Sequence, residues 1–122
     1  MKPDIRVSVD QGVIRIVYRG SVEPAVTTGM LREIGRLAAE SRSKSLLFDI
    51  RETDYSRAHV RTIRHVEEAE SLGVLPSFQI ALLGPLDNPM VKYIEDVAVN
   101  RGFQVQVFGR EDEAMSWLHQ PR

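Results

Sequence analysis

From residue 24 to residue 118 the chain alternates helix-length amphipathic stretches with short apolar runs, and this alternation limits the fold more than any other feature. The apolar runs are Leu46–Ile50, "SFQIALLG" from Ser77 and "FQVQVFG" from Phe103, each of strand length. A helix before each of them requires crossover connections, and those produce parallel strands. The first helix opens at Glu23-Pro24, since proline suits the first helical position. Val26, Met30, Ile34, Leu37 and Ala38 then share one helical face. The second runs roughly from Arg57 to Leu72 and ends at Gly73. The third takes Asp87 or Asn88 as its cap, Pro89 at its start and Gly102 past its end. In "REDEAMSWLHQ" the acids fall in the first turn, where a helix dipole favours them.

The opening segment, "DIRVSVDQGVIRIVYRG", has period two on both sides of a short Asp-Gln-Gly turn and reads as a hairpin. The element order is therefore ββαβαβαβα, an α/β fold. Its mainly parallel five-stranded sheet has an antiparallel edge strand, and residues 1–122 are expected to form one domain. Arg6 and Ser8, Arg15 and Arg19, and Gln104 and Gln106 give several strands a polar side. That pattern predicts helices mostly on one face. The other face would mix these residues with Val13, Val17, Leu47, Ala81 and Leu83 and stay open to a partner, most simply a second copy.

Composition excludes several classes of function. A net charge of −1 speaks against nucleic-acid binding, which needs an excess of Lys and Arg. The chain has no cysteine, so disulfides, thiolate metal sites and thiol catalysis are absent. "MKPDIRVSVD" contains no apolar signal core, and no stretch has the length of an integral membrane segment, so a cytoplasmic location is expected.

"SLLFDIRETDY", "FQIALLG" and "FQVQVFGREDEAMSWL" resemble the bacterial SpoIIAA-like family, near the STAS domains of sulphate transporters and anti-sigma-factor antagonists. The resemblance implies a right-handed βα superhelix, an architecture shared with Sec14-like lipid-binding domains. It also implies a place for a switch, because antagonists carry a phosphorylatable Asp-Ser-Ser-Gly motif after this strand. Aligned on Asp49 and Tyr55, that motif falls on Arg57-Ala58-His59-Val60, where both serines are missing. Thr53 and Ser56 lie nearby but outside the motif position, so a phosphorylation-controlled antagonist lacks its usual switch here.

Ligands of open parallel sheets bind beyond the carboxyl ends of the strands. The loops arriving there carry Asp49, Arg51, Asp54 and Tyr55, then Pro85, Asp87 and Asn88, and finally Arg110 and Glu111, with His59 at the start of the following helix. An enzyme, for example a small hydrolase, would use Asp49, Arg51 and His59. The plainer expectation is that Asp49 accepts from loop amides, Arg51 pairs with Asp54, and Asp87 or Asn88 caps a helix. His59 and His65 are six residues apart, about 240° around a helix, and cannot chelate one ion. There is no His-Glu-x-x-His, phosphate loop or nucleophile elbow, so no cofactor, metal or catalytic residue is assigned.

Val60, Ile63, Val66, Ala69 and Leu72 spread an apolar arc over about 240° of the second helix. Such a helix can roof a pocket, with Tyr55, Val60, Ile63, Leu86 and Met90 as lining candidates. The leading expectation is a non-enzymatic STAS-like module that binds a protein partner or a small apolar or lipid ligand and forms a homodimer. A Sec14-like carrier of hydrophobic ligands is the alternative.

Overall fold

The structure, a computed structural model, describes residues 2–54 and 59–120, with side chains for residues 2–54 and 64–120. β1 (Asp4–Asp10) and β2 (Val13–Ser21) form the expected hairpin, with Val7 opposite Ile16. Gln11 and Gly12, at φ 54° and 76°, make the two-residue turn. Positive φ at both positions matches the twist of a hairpin. β2 pairs in parallel with β3 (Ser45–Asp49), β3 with β5 (Gln79–Leu83) and β5 with β6 (Gln104–Phe108). The order across the sheet is β1-β2-β3-β5-β6.

A sixth strand, absent from the sequence expectation, is the two-residue β4 (Thr53–Asp54) beside Gly20-Ser21 of β2. It forms because the chain leaving β3 carries on in the same direction along β2, from Asp49 beside Val17 to Thr53 beside Gly20. The Gly20 amide donates to Glu52 O at 3.1 Å, and Thr53 Oγ1 donates to Tyr18 O at 2.7 Å. Two residues are too few for an alternation pattern to reveal.

α1 (Pro24–Ser41), α2 (His59–Ser71) and α3 (Pro89–Asn100) bury one face of the sheet. That core holds Ile14, Ile16 and Tyr18 of β2, Leu46 of β3 and Ile80 and Leu82 of β5, against Met30, Leu31 and Ile34 of α1. The other face is not open in the way the polar alternation implied. α4 (Glu111–Leu118) lays Ala114 and Leu118 over Val13, Leu47, Ala81 and Leu83, all four at most 1% exposed. The central strands β3 and β5 are apolar on both sides, which is the mark of a strand covered twice. The polar positions belong to β1, β2 and β6, outside that central patch.

α1 and α2 cross at a pair of glycines. A Cβ on Gly35 would lie 2.0 Å from Leu72 O, and one on Gly73 would lie 2.9 Å from Gly35 Cα. Gly73 also sits at φ +106°, a conformation that side chains resist. Thr28 Oγ1 donates to Glu68 Oε2 at 3.0 Å, and Arg101 of the α3 C-cap pairs with Glu67 at 2.6 Å. The C-terminal half of α2 is thus fixed to both neighbouring helices.

Candidate functional site

Asp49 ends β3, and the alternation that sends Leu47 towards α4 sends Asp49 to the same side. Arg51 Nε donates to Asp49 Oδ1 at 3.0 Å, and Arg51 Nη2 donates to Oδ2 at 2.8 Å. The Arg51 amide adds a third bond, 3.2 Å to Oδ1. Glu111, first residue of α4, accepts from Arg15 Nη2 at 2.8 Å and lies 3.8 Å from Arg51 Nη2. Charges of alternating sign therefore run Asp49, Arg51, Glu111, Arg15 and tie β3 and β2 to α4.

Hydrogen bonding from the Arg51 guanidinium holds the Asp49 carboxyl below the usual carboxylate range, outweighing the opposing effect of burial. A carboxylate with both oxygens occupied and its affinity for protons lowered is a weak general base near neutrality. The expected pairing of Arg51 with Asp54 is not formed, because the guanidinium folds back two residues onto Asp49. Glu52 turns outward to Arg19 at 2.7 Å.

Among the candidates whose side chains are described, Asp54, Asn88 and Met90 do not converge on Asp49. Asp54 is exposed in β4. Asn88 caps α3, its Oδ1 accepting from the Met90 amide at 2.8 Å, and Asp87 is exposed beside it. Leu86, 68% exposed, leans over Gly109 and shares a shallow depression with Arg51 and Asp87 at the strand ends. Met90 is half-buried in the first turn of α3. Tyr55 lies outside the described residues, as do Arg57 and Ala58 of the motif position. His59 and Ile63 are placed by their backbone in α2, and their side chains lie outside the described set. Among the described residues no cluster of His, Asp or Glu is arranged to hold a metal ion.

A second feature lies beneath α2. A cavity of about 180 Å³ opens between the sheet and the three helices, walled by Met30, Phe48, Val66, Ile80, Ile94 and Phe103 among others. Of its described lining residues, only Tyr18, Thr27, Thr53 and His65 carry a side-chain nitrogen or oxygen. Tyr18 Oη donates to Ser21 O at 3.0 Å and accepts from the Glu23 amide at 3.1 Å. Thr27 Oγ1 lies 3.4 Å from Tyr18 Oη, and Thr53 Oγ1 is bonded to Tyr18 O. Leu86 and Met90, expected to line a pocket, are not part of this one. The usable signal was the pair Ala69 and Ala98, small residues at buried positions of α2 and α3 where bulkier ones would fill the space.

No protein-family model and no curated protein matches the chain. Solved structures do match over nearly its whole length. An anti-sigma factor antagonist from Mycobacterium paratuberculosis superposes with a TM-score of 0.63 at 16% identity, covering 98% of this chain and 96% of its own. The antagonist SpoIIAA, in its unphosphorylated form, gives 0.62 at 12% identity over 97% of this chain and 100% of its own. An uncharacterised protein with a SpoIIAA-like fold from Shewanella loihica gives 0.59 at 15% identity over 95% and 93%. The fold is the SpoIIAA-like, STAS-type α/β fold. Among the described residues no helix is long and apolar enough to cross a membrane.

Proposed function

We propose that this chain is a non-enzymatic SpoIIAA-like binding module that takes a compact apolar molecule into the cavity beneath α2. The cavity carries the reading. Protein interiors leave few voids larger than a water molecule. An apolar cavity of roughly 150 Å³ stays dry and accepts benzene, and this one holds about 180 Å³. The volume favours a ligand of about one substituted ring over a two-chain lipid, since drug-sized ligands occupy roughly 300 Å³ or more. The oxygens of Tyr18, Thr27 and Thr53 already have protein partners, and apart from His65 the rest of the described lining is apolar, which favours an apolar ligand. The ion-paired state of Asp49 supports binding over catalysis.

Protein-observed NMR with toluene as the probe tests this. Saturable shifts at the Phe48, Val66, Ile94 and Phe103 amides are expected. Ala98→Leu, which fills the space from α3, should abolish them while leaving the remaining spectrum in place. Toluene at its solubility limit without such shifts would remove the reading.

A second reading, recognition of a protein partner, is favoured by the naming of two similar structures as anti-sigma factor antagonists. With Arg57-Ala58-His59-Val60 at the motif position, such recognition would run without the usual phosphoserine.

A further inference from the structure

The two edges of the sheet differ. On β6 the Val107 amide donates to Glu95 Oε2 of α3 at 3.2 Å, so a side chain of the same molecule occupies that edge. On β1 the outer edge faces no strand among the described residues, along all seven residues from Asp4 to Asp10. A free edge of this length is a template for another strand. Val9, which lies on it, is 43% exposed on the side of the sheet that otherwise packs against helices.

The sequence of the edge selects the occupant. Asp4, Arg6, Ser8 and Asp10 line one side of β1, and Ile5, Val7 and Val9 line the other. Two copies related by a two-fold axis through the sheet place residues of equal parity opposite one another. Three such antiparallel registers overlap five residues or more of β1. Centred on Arg6, the strand sets Arg6 against itself. Centred on Val7, it sets Asp4 against Asp10. Centred on Ser8, it sets Arg6 against Asp10 twice and covers each exposed Val9 with Val7 of the second copy.

We propose that β1 is a self-pairing edge through which two copies join in the Ser8-centred antiparallel register, making one sheet continuous across both. This inference goes beyond the ligand reading and does not depend on the cavity. Main-chain hydrogen bonds and the covered Val9 hold the copies together. The two Arg6–Asp10 pairs set the register, since exposed ion pairs add little affinity but like charges directly opposite one another are rejected. The open apolar sheet face first expected to carry a dimer is covered by α4, whereas this edge pairs with no strand among the described residues.

The test is a charge exchange followed by sedimentation velocity, with circular dichroism as the check on folding. Arg6 is 74% exposed in its side chain, so its replacement is compatible with the fold. The unaltered chain should sediment as a dimer. Arg6→Asp, which opposes Asp10 with a second acid, should sediment as a folded monomer at the same concentration. Arg6→Asp combined with Asp10→Arg restores complementary charges in this register and should return the dimer, and adding Asp4→Arg, which sets like charges against each other in the Val7-centred register, should leave that dimer intact. A monomeric unaltered chain, a dimer indifferent to Arg6→Asp, or a folded double variant that stays monomeric would each overturn the proposal.

Discussion

Tyr18 performs at the start of α1 the work that its N-cap residue does not. Glu23 makes no side-chain capping bond, and its amide is satisfied by Tyr18 Oη instead. The same oxygen donates to Ser21 O, so one hydroxyl joins β2, the turn and the helix. Tyr18→Phe keeps the ring in the core but removes the bonds to Ser21 O and to the Glu23 amide. Urea unfolding should show a loss of about 1–2 kcal/mol. Asp49 gives a residue-scale prediction in pH. Its folded pKa lies below the unfolded value, so its contribution is complete above the ordinary carboxylate range, about 3.9, and fades as pH falls through the lowered folded value. Asp49→Asn should therefore lower stability near neutrality and flatten the acid limb of a stability–pH profile. An unchanged acid limb would show that the bond to Arg51 contributes nothing to folding. The sequence showed that Asp49 ends a strand but not which cation it holds. Asp54 lies three residues from Arg51 and Asp49 two, both within reach of a guanidinium, and only the path of the turn decides between them.

At the scale of elements the period of the apolar residues was sufficient for every helix and every long strand. Pro24, Pro89, Gly73 and Gly102 marked helix ends because proline and glycine act on the backbone locally. What periodicity does not carry is how helices meet. The crossing of α1 and α2 depends on Gly35, which sits within a helix where glycine is locally unfavourable. Its cause is the Leu72 carbonyl, which a Cβ would approach to 2.0 Å. Gly35→Ala should therefore destabilise the protein by about 3 kcal/mol through forced separation of the helices, although alanine is the better helix former. Calorimetry of the variant, with Gly29→Ala as the control of open surroundings, separates packing from propensity. The apolar arc of α2 pointed to a roofed pocket, but the place and size of the cavity were illegible for a related reason. It is space left between three helices and a sheet, and each wall residue taken alone is an ordinary core residue.

For the whole molecule the informative division is between the two faces of the sheet. The larger core lies under three helices, and the smaller one depends on α4 alone. Ala114 is fully buried there, and the Phe108 and Trp117 rings meet with centroids 5.5 Å apart. Ala114→Asp would press a charge onto Leu47, Ala81 and Leu83, costing about 3 kcal/mol or more. Detachment of α4 should appear as a rise in binding of a hydrophobic dye before the main unfolding transition. The sequence reading left this face open to a partner, because the polar residues of β1, β2 and β6 outweighed the doubly apolar strands β3 and β5 that mark the second core. The Glu95 carboxylate seated on Val107 of β6 has a consequence for growth. A sheet with both edges bare can stack copies end to end without limit, the beginning of a fibre. With the Val107 donor already taken, β6 offers an arriving strand a broken ladder, so the pairing proposed through β1 would stop at a closed pair and not grow into a filament.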